Sequence, residues 1–284
     1  MAEVTIYEVG PRDGLQNEAR AIPTAQKIAL VDLLSATGLR RIEVTSFVSP
    51  RWIPQLADGA EVLAGIRRAP GVAYAALVPN LKGFEAAQAA GVAEVAIFTA
   101  ASETFSRRNI NATIQESLER FAPVAEAAAA AGVSLRGYVS CITDCPFEGP
   151  TEPAAVASVV ARLLDLGCRE VALGETLGRA TPERVSAMLD AVLEVAGPDR
   201  LAGHFHDTGG HALANVEACL DRGLRVFDAA VGGLGGCNYA PGAPGNLATE
   251  SLAARLAELG HATGVDPVHL AEAAAFARGL RSPA

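Results

Sequence analysis

With 284 residues, half of them apolar and 19% charged, the chain can bury a large core, which excludes intrinsic disorder. The net charge of −9 argues against a nucleic-acid binder, although a few arginines can still dominate a pocket for an anionic small ligand. Short runs rich in Val, Ile and Ala alternate with amphipathic stretches. A strand is predicted at Val4–Val9, then a helix at Thr24–Thr37, a strand at Arg41–Phe47 and a helix at Ala57–Arg68. Strand Val72–Val78, helix Leu81–Ala90, strand Val92–Thr99 and helix Ile114–Ala131 follow. The pattern continues with strand Ser134–Ser140, helix Pro153–Leu166, strand Glu170–Leu173 and helix Pro182–Val195. Strand Leu201–His206, helix Ala212–Asp221, strand Val226–Val231 and helix Ala248–Leu259 complete it, with one further helix and a tail after Val265.

Gly38, Gly91, Gly132, Gly167 and Gly223 stand where helices should stop, and Thr151 and Thr181-Pro182 where helices should start. Eight strand–helix pairs predict an α/β fold: a (β/α)8 TIM barrel over about residues 4–260, with a C-terminal helical extension over 261–284. An open, doubly wound sheet is the alternative, since pattern alone does not prove closure. No linker or composition break divides the chain, so one domain over 1–284 is expected. No membrane span and no signal peptide are expected, and the odd count of five cysteines fits a reducing compartment, with the cytoplasm as default.

Chemistry in a barrel collects at the C-terminal ends of the strands. Arg12-Asp13-Gly14 follows the first strand, Glu43-Val44-Thr45-Ser46 ends the second and Glu175-Thr176 follows the sixth. His204-Phe205-His206-Asp207 ends the seventh. His204 and His206 are two apart on a strand, so their rings share a face, about 6–7 Å apart at the backbone. One cation can then take a nitrogen from each at about 2.1 Å; two hydrogen-bonded core histidines are the competing reading. Oxygen donors from Asp and Asn nearby favour Mg2+ or Mn2+ over zinc. Glu43, between Ile42 and Val44, should point into the barrel lumen, where it needs a cationic partner such as Arg12.

The segment Gly232–Asn246 has neither a Walker loop nor the dinucleotide spacing. It reads as a glycine-hinged lid that brings Cys237 over the site, where the thiol can act as nucleophile or general acid. Cys141 and Cys145 could form a metal knuckle, while Cys168 and Cys219 lie at helix ends and are read as inert.

These motifs together resemble the hydroxymethylglutaryl-CoA lyases of the DRE-TIM metallolyase family across nearly the whole chain. The resemblance is carried by VGPRDGLQNE (Val9–Glu18), IEVTSFVSPRWIPQLAD (Ile42–Asp58), RGYVSC (Arg136–Cys141), HFHDT (His204–Thr208), GLGGCNYAPGAPGNLATE (Gly233–Glu250) and HATGVD (His261–Asp266). It implies a divalent cation, Mg2+ or Mn2+, held by Asp13, His204, His206 and Asn246. It further implies that Arg12 stabilises an enolate oxygen, that Glu43 holds that arginine and that Cys237 is the catalytic thiol. Gln16, Ser46 and Thr176 are assigned to substrate binding.

The family reaction is a retro-Claisen cleavage of a 3-hydroxyacyl-CoA to acetyl-CoA and a carbonyl product, as in leucine degradation and ketone-body formation. An acyl-CoA is therefore the expected substrate, and a homo-oligomer, in first place a dimer, the expected assembly. Glu175, Gly209, Asp144 and Ser251 depart from the usual pattern in loops that shape the acyl pocket. They keep open a lyase for another branched substrate, such as citramalyl-CoA or a longer-chain 3-hydroxyglutaryl-CoA.

Overall fold

The alternation of strand and helix signals closes into a barrel in the computed structural model, which describes residues 3–235 and 245–281. Its strands are β1 (Thr5–Glu8), β2 (Arg41–Ser46), β3 (Ala73–Leu77), β4 (Glu94–Ala100), β5 (Ser134–Ser140), β6 (Glu170–Glu175), β7 (Leu201–Phe205) and β8 (Val226–Ala229). Every pairing in the barrel is parallel, and β1 bonds to both β2 and β8, so the sheet closes and the open-sheet alternative fails. Around it stand α1 (Thr24–Ser35), α2 (Gly59–Gly65), α3 (Leu81–Ala89), α4 (Glu103–Ile110), α5 (Ile114–Ala131), α6 (Pro153–Asp165), α7 (Pro182–Val192), α8 (Ala212–Asp221) and α9 (Thr249–Glu258). The last helix described, α10 (Pro267–Arg281), is the C-terminal extension.

Helix ends follow local chemistry. A capping box of Thr113 and Glu116 opens α5, and Gly132 at φ 67° closes it. All five glycines expected to stop helices take positive φ. Thr151 is displaced from its expected role: Glu152 occupies the N-cap of α6, while the Thr151 amide bonds Thr143.

Three features departed from expectation. Helix α4 lies between β4 and α5, capped by Ser102, whose hydroxyl accepts from the Phe105 amide, and closed by Asn111 at φ 49°. A two-residue antiparallel ladder pairs Asp144–Cys145 with Gly149–Pro150 after β5. Helix α2 starts at Gly59 because Pro54–Leu56 forms a separate 3-10 turn.

The two faces of the barrel strands divide the labour. Outward side chains such as Leu135, Val139, Val171 and Leu173 join the large core under the helices. Inside, Leu77, Ala96, Tyr138, Ala172 and Ala202, from five adjacent strands, form a second apolar cluster. Small alanines leave room there for charge: Arg136, fully buried, donates to Asp228 and Glu170, and Arg41 bridges Glu170 to Glu94. The Tyr7 hydroxyl donates to Glu94 at 2.8 Å. Buried ions paired in this way are a weak source of stability, but removing one partner costs about 3–5 kcal/mol.

Candidate active site

The first functional side chains are aimed by a single carbonyl. The Val9 oxygen accepts from the amides of Arg12 (3.1 Å), Asp13 (2.7 Å) and Gly14 (3.2 Å), winding Gly10–Gly14 into one π-type turn at the mouth of β1. Glycine is required at its two ends by close approach. A Cβ on Gly10 would stand 2.6 Å from Glu8 Oε1, and one on Gly14 would stand 2.6 Å from Leu234 Cβ.

Arg12 is the most constrained group of the turn. Its Nε donates to Glu43 Oε2 and its Nη1 to Asp13 Oδ1, each at 2.6 Å, and its guanidinium lies 5.2 Å from the Tyr138 ring centre. Glu43, fully buried on β2, also accepts from the Tyr138 hydroxyl at 3.1 Å. The lumen position expected from its apolar neighbours is the one it occupies. Burial opposes the Arg12 charge, but Glu43 and Asp13 outweigh it and fix the guanidinium as a permanent cation. Burial also keeps the Glu43 carboxyl above the usual range despite Arg12.

Strand β7 supplies the histidines. It ends at Phe205, one residue earlier than expected, and His206 is held instead by an isolated antiparallel bridge to Asn246. The two imidazole centroids are 5.6 Å apart. His204 Nε2 stands 4.0 Å from Asp13 Oδ2, and one ligand atom each from Asp13, His204 and His206 lies within 4.8 Å of the others. Three donors spaced evenly around a hard cation at about 2.1–2.3 Å stand about 3.6–4.0 Å apart, so these three can share one ion if each moves inward by about half an ångström or less. Burial raises the Asp13 carboxyl, but Arg12 and then the histidines pull it down to about 2. Burial, then His204, lowers His206 to about 4, so both groups stand in the forms that bind metal.

The return of the last loop brings Asn246 against Asp13. Asn246 Nδ2 donates to Asp13 Oδ2 at 2.8 Å and to Leu234 O at 3.3 Å. Beneath it, the buried Glu8 gathers three strands of chain: Oε1 accepts from the amides of Gly10 (2.7 Å) and Val231 (3.0 Å), and Oε2 from the Thr249 hydroxyl (2.6 Å). Burial, partly offset by these bonds, raises its carboxyl to about 7. Cys237 lies outside the described residues.

These groups open onto a cavity of about 920 Å³. Arg12, Asp13, His204 and His206 line it, as do Gln16 and Thr176 of the expected substrate contacts. Ser46 is not among the lining residues; its hydroxyl accepts from the Val48 amide at 3.1 Å. Apolar walls come from Leu77, Phe98, Phe105, Ile110 and Phe121. Cys141 and Cys145 are buried free thiols; among the described residues the three-donor cluster found is Asp13, His204 and His206, which leaves the metal-knuckle reading without support. Sequence reasoning missed Tyr138 and Asp228, which touch Glu43 and His204. Arg136 and Tyr138, two apart on β5, carried the same alternation signal that revealed Glu43.

A family model described as HMGL-like matches residues 3–277. The chain is 57% identical over 274 residues to the mitochondrial hydroxymethylglutaryl-CoA lyase of Bos taurus, covering 96% of this chain and 84% of that protein. It is 56% identical over 271 residues to the 3-hydroxy-3-isohexenylglutaryl-CoA/hydroxy-methylglutaryl-CoA lyase of Pseudomonas aeruginosa, covering 95% of this chain and 90% of that one. The crystal structure of the HMG-CoA lyase from Brucella melitensis matches with a TM-score of 0.98 at 58% identity, covering 99% of both chains.

Proposed function

This chain belongs to the HMGL-like family, and from that premise we propose that it cleaves 3-hydroxy-3-methylglutaryl-CoA to acetyl-CoA and acetoacetate. It is a carbon–carbon lyase acting by a retro-Claisen step. The observation that carries the reading is the grouping of Asp13, His204 and His206 beside the immobilised Arg12 on one cavity wall.

Asp13, His204 and His206, with the side-chain oxygen of Asn246 as fourth donor once its amide turns from Asp13, would hold the cation, for which the oxygen donors favour Mg2+ or Mn2+. Such an ion would supply Lewis-acid polarisation of the substrate oxygens and so lower the pKa of the substrate hydroxyl. As the hydroxyl proton passes to the solvent that the open cavity admits, the C2–C3 bond breaks, the tertiary alcohol becomes the ketone of acetoacetate, and the electron pair passes to the thioester enolate. Arg12, pinned by Glu43 and Asp13, presents a fixed cation to the growing charge on the thioester oxygen without reorganising. Cys237 then delivers a proton to the acetyl-CoA carbon as general acid. Gln16 and Thr176 orient the acyl group from the cavity wall.

A longer 3-alkyl substituent is the second reading. The aromatic wall of Phe98, Phe105 and Phe121 offers it apolar surface, and the Pseudomonas aeruginosa relative is named for both substrates. We further assign the chain to one barrel domain with a C-terminal helix, to a homodimer and to the cytoplasm. Its products place it in leucine degradation or ketone-body formation. Among the described residues no helix is long and apolar enough to cross a membrane.

A panel of 3-hydroxyacyl-CoAs assayed for acetyl-CoA release, with and without Mg2+, tests this. Metal-dependent release from the methylglutaryl thioester is expected; release from the isohexenyl analogue alone would shift the assignment to the second reading.

A further inference from the structure

His204 has two ring nitrogens, and only the one with a free lone pair can bind a cation. The structure shows what decides between them. Asp228, wholly buried on β8, stands in register with His204 on β7, and its Oδ2 lies 3.0 Å from His204 Nδ1. The carboxylate is itself clamped: Arg136 Nη1 and Nη2 reach Oδ2 and Oδ1 at 3.0 and 2.6 Å, a two-pronged contact that fixes the plane of the group. Arg136 cannot drift, since its Nε is bonded to Glu170 at 2.7 Å and its guanidinium sits between the rings of Tyr7 and Tyr138, 4.0 and 4.7 Å from their centres.

A carboxylate only accepts hydrogen bonds, so Nδ1 must carry the proton. The lone pair then falls on Nε2, the nitrogen 4.0 Å from Asp13 Oδ2. The Tyr138 ring, edge-on to the imidazole at 84° and 6.0 Å, restrains the remaining freedom of the ring.

We propose that Asp228, braced by Arg136, is a positioning residue that fixes the tautomer and orientation of His204 so that Nε2 is presented as a cation ligand. A purely structural role would need only the pairing of Asp228 with Arg136. Glu170 already supplies Arg136 with one counter-charge, and the 3.0 Å contact to Nδ1 is extra to that pairing. The inference rests on the metal-site reading for its purpose, but the tautomer is a property of the chain alone.

The decisive experiment therefore uses metal-free, full-length protein labelled with 15N-histidine, at a pH where His204 is neutral. A long-range proton–nitrogen spectrum separates protonated from lone-pair nitrogens, and His204→Gln identifies the signals by their loss. Protonated Nδ1 with lone-pair Nε2 is expected; a His204 protonated on Nε2 would overturn the proposal, whether or not the protein binds metal. In folded Asp228→Asn, whose amide can also donate to Nδ1, both tautomers should appear and the Mn2+ dissociation constant should rise about 10–100-fold, the usual loss on removing a group that orients a ligand. A folded Asp228→Asn with wild-type tautomer and wild-type Mn2+ affinity would overturn it too. Should Asp228→Asn not fold, the wild-type spectrum still decides. A wild-type protein that binds no Mn2+ would count against the metal-site reading, and the tautomer would still be read.

Discussion

Replacing Arg12 by Gln separates catalysis from scaffolding, because the geometry attaches a number to each. The substitution keeps a neutral donor but removes the charge and the geometry aimed at the thioester oxygen. Losing one preorganised donor of this kind costs about 10²–10³ in kcat, and losing the cation with it extends the range to about 10⁴, or about 3–5 kcal/mol of barrier. The same change strands Glu43, which is fully buried and bonded to Arg12 at 2.6 Å. An unpaired buried carboxylate costs about 3–5 kcal/mol unless it takes up a proton, and its carboxyl is already raised by burial, with Tyr138 still donating to it.

Arg12→Gln should therefore lower both kcat and Tm, whereas Arg12→Gln combined with Glu43→Gln should recover much of the Tm and none of the kcat. Steady-state acetyl-CoA release and thermal unfolding report the two quantities. An intact kcat with a raised KM, or a double variant that regains activity with its stability, would refute the electrostatic role.

His204→Ala should abolish metal-stimulated turnover and weaken Mn2+ binding, while the circular dichroism of the barrel is retained, because Asp228 keeps its Arg136 partner. Glu8→Gln should change the pH dependence of stability. The folded carboxyl titrates near 7 against an ordinary 4.5, so the folded state binds this proton more tightly and stability falls as pH rises from 4.5 to 7. The wild-type-minus-variant difference should lose about 3 kcal/mol across that window; chemical denaturation at stepped pH checks it, and a flat difference refutes it. Cys237→Ser should be severely impaired yet still bind metal and substrate. Intact mass spectrometry of wild-type enzyme quenched in turnover should show no acyl adduct, and a covalent adduct on Cys237 would make the thiol a nucleophile.

Much of this was written in residue alternation. Strand periodicity placed Glu43 in the lumen because Ile42 and Val44 had to face out, and the i, i+2 spacing brought His204 and His206 onto one face. Arg136 carried the alternation that exposed Glu43 and was overlooked, whereas Glu170 and Asp228 escaped for a shared reason. A single charge on a short strand, or at its first residue, reads as solvent-facing, and only barrel closure turns Glu94, Glu170 and Arg41 inward to meet one another. Asp228 also lacks any local cue in Val226–Ala229, since its partners Arg136 and His204 come from other strands. Helix α4 was missed because its eight residues carry too few apolar positions for a helical stripe, although Ser102 was a legible cap. Strand and helix ends shifted by one to three residues where turns competed, as at His206, whose backbone pairs with Asn246 rather than continuing β7.

The most direct test of the central claim is a product balance. Purified protein is stripped of metal, incubated with 3-hydroxy-3-methylglutaryl-CoA, and assayed for acetyl-CoA and acetoacetate before and after Mg2+ or Mn2+ is added, with His204→Ala in parallel. The account predicts equal amounts of the two products, appearing only with the cation and not in the variant. Equal turnover in the presence of a chelator, or products formed undiminished by His204→Ala, would contradict it.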